Sequence, residues 1–159
     1  SVDAVVVPWI LSRLAIPACP HPALMDAMYT WLMTAAVTGI PKAFLRLDGL
    51  VLFLGSVYLY KTIGLSWWLF AGLLLVPDVF MLGYLANRTL GAYLYNVGHS
   101  YSAPAVLLLV GHLQTSHQAT AVAIIWFAHI GMDRVAGYGL KYKSGFGDTH
   151  LGTLDPKTP

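Results

Sequence analysis

The feature that most constrains this chain is a long run without charge. From Thr89 to Met132 there is no Asp, Glu, Lys or Arg. Such a run is long enough for two membrane crossings of about 20 residues each. The rest of the composition agrees. Of the 159 residues, 57% are hydrophobic and only 10% are charged, whereas a soluble domain carries about 25% charged residues. There are too few charges here to coat a water-facing surface. All the acidic residues are Asp, and the Glu that a soluble helical protein would place on its exposed faces is absent. The net charge of +2 is too small for a nucleic-acid footprint. The single cysteine, Cys19, excludes an internal disulfide, a CxxC redox pair and a thiolate zinc site. The start of the sequence, Ser1-Val2-Asp3, has no basic region and does not read as a secretory signal peptide.

The apolar runs predict an all-α polytopic membrane bundle with four core transmembrane helices, at about Phe44–Tyr60, Leu65–Leu85, Leu90–Leu113 and Ala119–Leu140. Short links between them make sequential helices antiparallel neighbours. Three parts follow: an apolar N-terminal extension over residues 1–43, the core over 44–142, and a polar, Gly/Pro-containing tail over 143–159. Within the extension, Leu24–Ile40 is apolar but short and carries Asp26, so it reads as a fifth span or as a helix lying in the interface. Trp67, Trp68, Tyr58 and Tyr60 read as an aromatic belt at one interface. Lys42, Arg46, Arg88, Arg134, Lys141, Lys143 and Lys157 fall on one side and Lys61 on the other, so the positive-inside rule places both ends of the core on the cytoplasmic side.

Ionisable groups in hydrocarbon cost several kcal/mol unless paired or hydrated, and they mark functional sites by default. Asp78, Asn96, His99, His129 and Asp133 come from three of the expected helices. At about 1.5 Å of rise per residue, they fall in one layer of the inner half of the bilayer. His129 and Asp133 are i,i+4 and share a helix face, as do Tyr95 and His99. Pro77 and Pro104 free backbone carbonyls beside this layer, which is tolerated at depth only within protein or next to a wet cavity. The five layer residues are therefore the catalytic candidates. Asp48, Tyr84, Tyr95, Tyr101, Trp126, Arg134 and Tyr138 are the substrate-binding candidates around them. Taken singly, several have plainer roles: Asn96 as interhelical glue, Tyr95 as packing, Asp78 as a cap after Pro77, and Arg134 as a snorkelling cation.

Four segments resemble a known family. They are FLRLDGL (Phe44–Leu50), SWWLFAGLLLVPDVFMLGYL (Ser66–Leu85), GAYLYNVGHSYSAP (Gly91–Pro104) and WFAHIGMDRVAGYGLKYKSGFGDTHLG (Trp126–Gly152). The combination of NxxHSY, HxxxDRxxGYGLKY and DTHLG is similar to the bacterial and fungal domain-of-unknown-function family 4260, small membrane proteins of four helices. The resemblance implies a membrane location and four helices, and no particular reaction. Its motif positions fall on Arg46, Asp48, Asp78, Tyr84, Asn96, His99, His129, Asp133, Arg134, Tyr138, Lys141, Asp148, Thr149 and His150. If the DTHLG stretch folds back, Asp148 and His150 would lid the inner mouth of the site.

A buried layer of His and Asp holds both an acid and a base. The first expectation is therefore an intramembrane enzyme performing acid–base chemistry, a cyclisation or isomerisation, on a lipophilic small molecule such as a terpenoid or another lipid-like metabolite. In that scheme Asp133 orients His129, while His99 or Asp78 supplies the complementary proton step. No cofactor is required by it. The alternatives are a transition metal held by His99, His129 and Asp133, haem between axial histidines, or a transporter or binding module for a small ligand. A narrow four-helix bundle would transport as a homodimer. The expected partners are a lipophilic substrate and membrane lipid, with no nucleic acid.

Overall fold

The computed structural model describes residues 36–153. The N-terminal extension, with its expected fifth or interfacial helix, lies outside the described residues up to Ala35. The described chain is all-α apart from one small hairpin. Helix α1 runs Gly39–Ile63 and ends at Gly64, which takes the left-handed conformation (φ 77°) that a helix stop favours. Helix α2 (Trp67–Leu74) follows, with the Ser66 hydroxyl accepting from the Trp68 amide at 3.2 Å. It passes into a 3-10 helix, Val76–Leu85, with Pro77 in its first turn. Helices α3 (Arg88–Gly98) and α4 (Ser102–Leu113) come next, then α5 (His117–Ala136) and a hairpin of β1 (Asp148–Thr149) and β2 (Gly152–Thr153).

Among the described residues, three stretches are long and apolar enough to cross a membrane: Gly39–Ile63, Trp67–Leu85 and His117–Ala136. This is consistent with a membrane location. The expected third span is not one helix. It breaks at His99–Tyr101 into α3 and α4, each too short to cross alone. Pro104 is the physical cause, because it lacks the amide that would bond back across the break and is tolerated only in the first turn of a new helix. The expected fourth helix stops at Ala136 rather than Leu140, because Gly137 adopts φ 96° and closes the helix there.

Helix α5 is the hub, packing on α1, α4 and α2. Tyr60, Phe70, Ala121, Ile124, Ile125 and Ala128 form the apolar core. Tyr60 is therefore not a member of an interfacial belt. It is fully buried against Trp67 and Phe70, and its hydroxyl donates to the Ser66 carbonyl at 2.8 Å. Trp68, by contrast, is exposed. The α1–α5 crossing depends on two facing glycines: a Cβ on Gly131 would stand 2.8 Å from the Gly49 carbonyl oxygen and from the Phe53 amide nitrogen.

The polar segment after α5 folds back, the arrangement that the DTHLG stretch leaves open, with Thr149 and Leu151 buried. The His150 amide donates to the Leu140 carbonyl at 3.0 Å, and the Tyr142 amide to the Asp148 carbonyl at 2.9 Å. The Val37 amide donates to the His150 carbonyl at 2.7 Å, tying this segment to the approach to α1.

Candidate functional site

Three elements deliver four side chains to one point. Asp78 comes from the first turn of the 3-10 helix, His99 from the residue that ends α3, and His129 and Asp133 from successive turns of α5. His99 Nε2 lies 3.0 Å from His129 Nε2, 3.5 Å from Asp78 Oδ1 and 3.5 Å from Asp133 Oδ2. His129 Nε2 lies 3.6 Å from Asp78 Oδ1 and 3.8 Å from Asp133 Oδ2. Both imidazoles are fully buried and Asp133 nearly so, whereas the Asp78 side chain is 34% exposed and forms the outward-facing wall.

The surrounding bonds fix the orientation of this group. His99 Nδ1 stands 2.9 Å from the Tyr95 carbonyl oxygen. A carbonyl only accepts, so Nδ1 carries the proton and a neutral His99 presents a bare Nε2 lone pair to the centre. The Tyr95 ring stacks on the His99 ring at 3.7 Å between centroids, and its hydroxyl donates to Asp133 Oδ2 at 3.2 Å. One tyrosine therefore orients an imidazole through its carbonyl and its face, and a carboxylate through its hydroxyl. His129 Nδ1 is buried and makes no hydrogen bond.

The break between α3 and α4 leaves carbonyls without helical partners, and α5 supplies side-chain donors for them. Trp126 Nε1 donates to the Gly98 carbonyl at 2.6 Å, and Arg134 Nη2 to the His99 carbonyl at 3.0 Å. Arg134 Nη1 donates to the Tyr138 carbonyl at 2.6 Å. These two substrate-binding candidates are thus engaged with backbone. Asn96 does not join the four. Its amide nitrogen donates to the Lys141 carbonyl at 2.9 Å and its oxygen accepts from the Lys141 amide at 2.7 Å, clamping the returning chain to α3. Tyr101 and Tyr138 are exposed, Tyr101 with the Arg134 guanidinium 5.9 Å from its ring centroid. Asp48 is exposed on α1.

The fold-back places a residue that helical spacing did not select. Lys141 is buried, its Nζ donating to the Phe146 carbonyl at 2.9 Å. The same Nζ stands 3.3 Å from the Phe146 ring centroid, 4.7 Å from that of Tyr95 and 5.6 Å from that of Tyr84. Burial lowers this amine to about 8, against the opposing pull of Asp133 and Asp78. His150 does not reach the cluster. Its Nδ1 accepts from the Leu140 amide at 2.8 Å, and burial pushes its pKa down, helped by the charge of Arg134.

The family described as a domain of unknown function, DUF4260, matches residues 42–154. The chain belongs to this family. No curated protein and no solved structure matches it. The matched region of this DUF4260 protein contains all four converging side chains together with Tyr95, Asn96 and Lys141.

Proposed function

We propose that this DUF4260 protein is an intramembrane metalloenzyme whose Asp78, His99 and His129, with Asp133 beside them, bind a divalent transition metal and act on a lipophilic small molecule. One observation carries this reading: three lone-pair-bearing atoms, Asp78 Oδ1, His99 Nε2 and His129 Nε2, converge near the spacing a single ion requires. A metal with bonds of about 2.0–2.2 Å holds tetrahedral donors about 3.3–3.6 Å apart, and the three separations here are 3.0, 3.5 and 3.6 Å. These three donor atoms all lie within 4.8 Å of one another. Asp133 Oδ2 stands outside the set, 3.5 Å from His99 and 3.8 Å from His129, so the fourth position stays open to water, as at a catalytic ion. The mixed imidazole and carboxylate donors suit zinc, manganese or iron. The Tyr95 contacts to His99 and Asp133 are the kind of outer bonds that hold metal ligands in place. Haem does not fit. Axial imidazoles on opposite sides of one iron stand about 4 Å apart, twice a metal–nitrogen bond, and the two Nε2 atoms are 3.0 Å apart.

The metal would supply Lewis acidity and lower the pKa of a bound water. Asp133, outside the three donors and 3.5 Å from His99 Nε2, would be the group to take or return the proton of that water. Val76, Val79 and Leu82 form an exposed apolar edge of the 3-10 helix that carries Asp78. That is the surface a lipid-facing helix presents, and a substrate reaching the half-exposed Asp78 from the bilayer would be lipophilic. The core termini face the cytoplasm by the Lys/Arg asymmetry. Reporter fusions after Tyr60 and Leu140 should then report opposite sides, and the same side for both would refute that orientation.

A metal-free acid–base centre, performing a cyclisation or isomerisation, is the second reading. It is favoured by the 3.0 Å His129–His99 contact, which matches a direct Nε2–H···Nε2 hydrogen bond. Elemental analysis of protein purified without added chelator separates the two. About one equivalent of a transition metal, lost on substituting His99 or His129, supports the metalloenzyme, and a metal-free but active protein supports the relay.

A further inference from the structure

The chain that returns after α5 closes on itself through a histidine. Lys141 bridges Thr149 in antiparallel fashion, and the His150 amide donates to the Leu140 carbonyl at 3.0 Å. In a regular ladder the reciprocal bond would run from the Leu140 amide to the His150 carbonyl. That carbonyl accepts instead from the Val37 amide at 2.7 Å, and the Leu140 amide donates to His150 Nδ1 at 2.8 Å. An amide N–H only donates, so Nδ1 carries the lone pair and Nε2 the proton. This rung exists only while His150 is neutral.

The closed segment braces the half of the centre that the α5 bundle holds least. Asp78 and His99 stand at the two ends of a hairpin made of the 3-10 helix and α3, which pack principally on each other, whereas α5 packs on α1, α2 and α4. Helix breaks border that hairpin at Leu75 and at His99. The returning chain grips it at three points. Asn96, three residues before His99, bonds twice to the Lys141 main chain. Phe146 meets the Tyr84 ring edge-on at 5.0 Å between centroids, and Lys141 Nζ lies 4.7 Å from the centroid of Tyr95.

The charges around His150 oppose its protonation. Burial, and then the Arg134 charge on α5, hold its pKa below the ordinary histidine value. From α1, Lys42 Nζ would stand 3.0 Å from a Cβ on Gly152, and Arg46 Nη2 2.6 Å from a Cβ on Gly137. Asp148, the carboxylate of the same segment, turns to Gly145, where a Cβ would stand 2.9 Å from its Oδ2. Among the described residues no carboxylate forms an ion pair with His150. A proton on Nδ1 would set two N–H groups face to face amid cations.

We propose that His150 is a pH-sensitive latch: neutral, it holds the returning chain closed on the hairpin that carries Asp78 and His99, and protonated, it releases that chain and loosens the centre. The released segment binds a proton near the ordinary histidine pKa of about 6.5, and the closed one only below it. Closure therefore weakens as pH falls below about 6.5. The latch acts on the centre whether that centre holds a metal or works as a metal-free acid–base pair, so it stands or falls apart from either reading.

The test is hydrogen exchange of the full-length protein in detergent without added metal, at about pH 7.5 and about pH 5, corrected for intrinsic rates. Peptides covering residues 138–142, 94–99 and 121–131 report the returning chain, the end of α3 and α5. Protection at 138–142 should fall about tenfold at the lower pH, the effect of one lost hydrogen bond. Residues 94–99 should follow, and 121–131 should hold. His150→Asn keeps an acceptor close to the place of Nδ1 and does not titrate, so it should stay protected at both pH values. His150→Leu offers no acceptor and should be unprotected at both. Protonation of the centre itself would act alike in wild type and His150→Asn. Unchanged wild-type protection, or a fall in His150→Asn as large as in wild type, overturns the latch. A fall at 138–142 with 94–99 unmoved overturns its hold on the centre. If the variants do not fold, wild type still decides: a loss shared equally by 121–131 is general unfolding and overturns the latch, and a loss confined to the other two peptides supports it.

Discussion

His129→Ala is the most informative single perturbation. On the metal reading it removes one of the three protein donors while Asp78 and His99 remain, with Asp133 beside them. Structural zinc sites contribute roughly 10–16 kcal/mol, so each of four ligands is worth roughly 3 kcal/mol, or about a hundredfold in affinity. At a metal concentration of about 100 Kd, wild-type protein gains about 2.7 kcal/mol, whereas a hundredfold weaker variant gains about 0.4 kcal/mol at the same concentration. For a chain of 159 residues, where 1 kcal/mol shifts Tm by roughly 2–4 °C, wild type should rise by roughly 5–10 °C and His129→Ala by about 1 °C. The assay is a thermal melt in detergent with and without Zn2+, Mn2+ or Fe2+. His112→Ala, on an exposed residue in the last turn of α4, should keep the full shift. The metal-free relay predicts something else. His129→Ala would lower the melting temperature whether or not metal is present, because it strands the buried Asp133. A wild-type melt that none of these metals moves, or a His129→Ala melt that moves as far as wild type, refutes the metal centre.

Tyr95→Phe removes the hydroxyl that donates to Asp133 at 3.2 Å, so metal affinity should fall about tenfold or more while the ring still stacks on His99; unchanged affinity in a metal titration would show that Asp133 needs no such support. Gly131→Ala sets a Cβ 2.8 Å from backbone atoms of Gly49 and Phe53, so α1 and α5 must part by roughly 0.6 Å at a cost of roughly 1–3 kcal/mol, only partly offset by about 1 kcal/mol of helix propensity, and a lower Tm is expected. Lys141 titrates in the fold at about 8 against an ordinary 10.5, so between these values the unfolded chain holds more protons and stability should rise with pH across that window. Melts of Lys141→Met should lose this rise, and an identical pH profile in the variant would contradict the burial of the amine.

The helical class and most of the spans were legible in hydropathy alone, because a charge-free run from Thr89 to Met132 has few ways to be satisfied except in lipid or a buried core. The misplaced ends have local causes that average hydropathy does not see. Gly137 stops α5 inside a stretch that continues apolar through Leu140. Pro104 divides the third hydrophobic stretch in a way that its composition conceals. The 3-10 turn after Pro77 changes which residues align. In a 3-10 helix positions three apart eclipse, so Asp78 and Tyr84, six apart, lie along one edge, whereas α-helical spacing would separate them. Composition marks the folded-back segment only as a polar tail, because its strands are two residues long, too short for any periodicity, and its burial rests on Thr149 and Leu151.

The candidate site was legible in part because depth and helical spacing are one-dimensional quantities. Equal distance from the helix ends collected Asp78, His99, His129 and Asp133, and the structure brings their donor atoms together. The same criterion collected Asn96 and set Arg134 and Trp126 beside it, yet all three spend their polar atoms on backbone groups exposed by the helix break or by the returning chain. What distinguishes the two sets is the partner, and a partner is a tertiary fact. In a bilayer an irregular backbone must be satisfied from within the protein, so a chain that breaks a helix at His99 needs donors such as Arg134 and Trp126 for that reason alone. Apart from His99 Nδ1, which donates to the Tyr95 carbonyl, Asp78, His99, His129 and Asp133 answer no such backbone need: their carboxylate oxygens and Nε2 atoms face one another. Four polar groups directed at each other in place of the main chain leave a structural role unexplained, and that is the physical ground for assigning chemistry to these four and scaffolding to Asn96, Trp126 and Arg134.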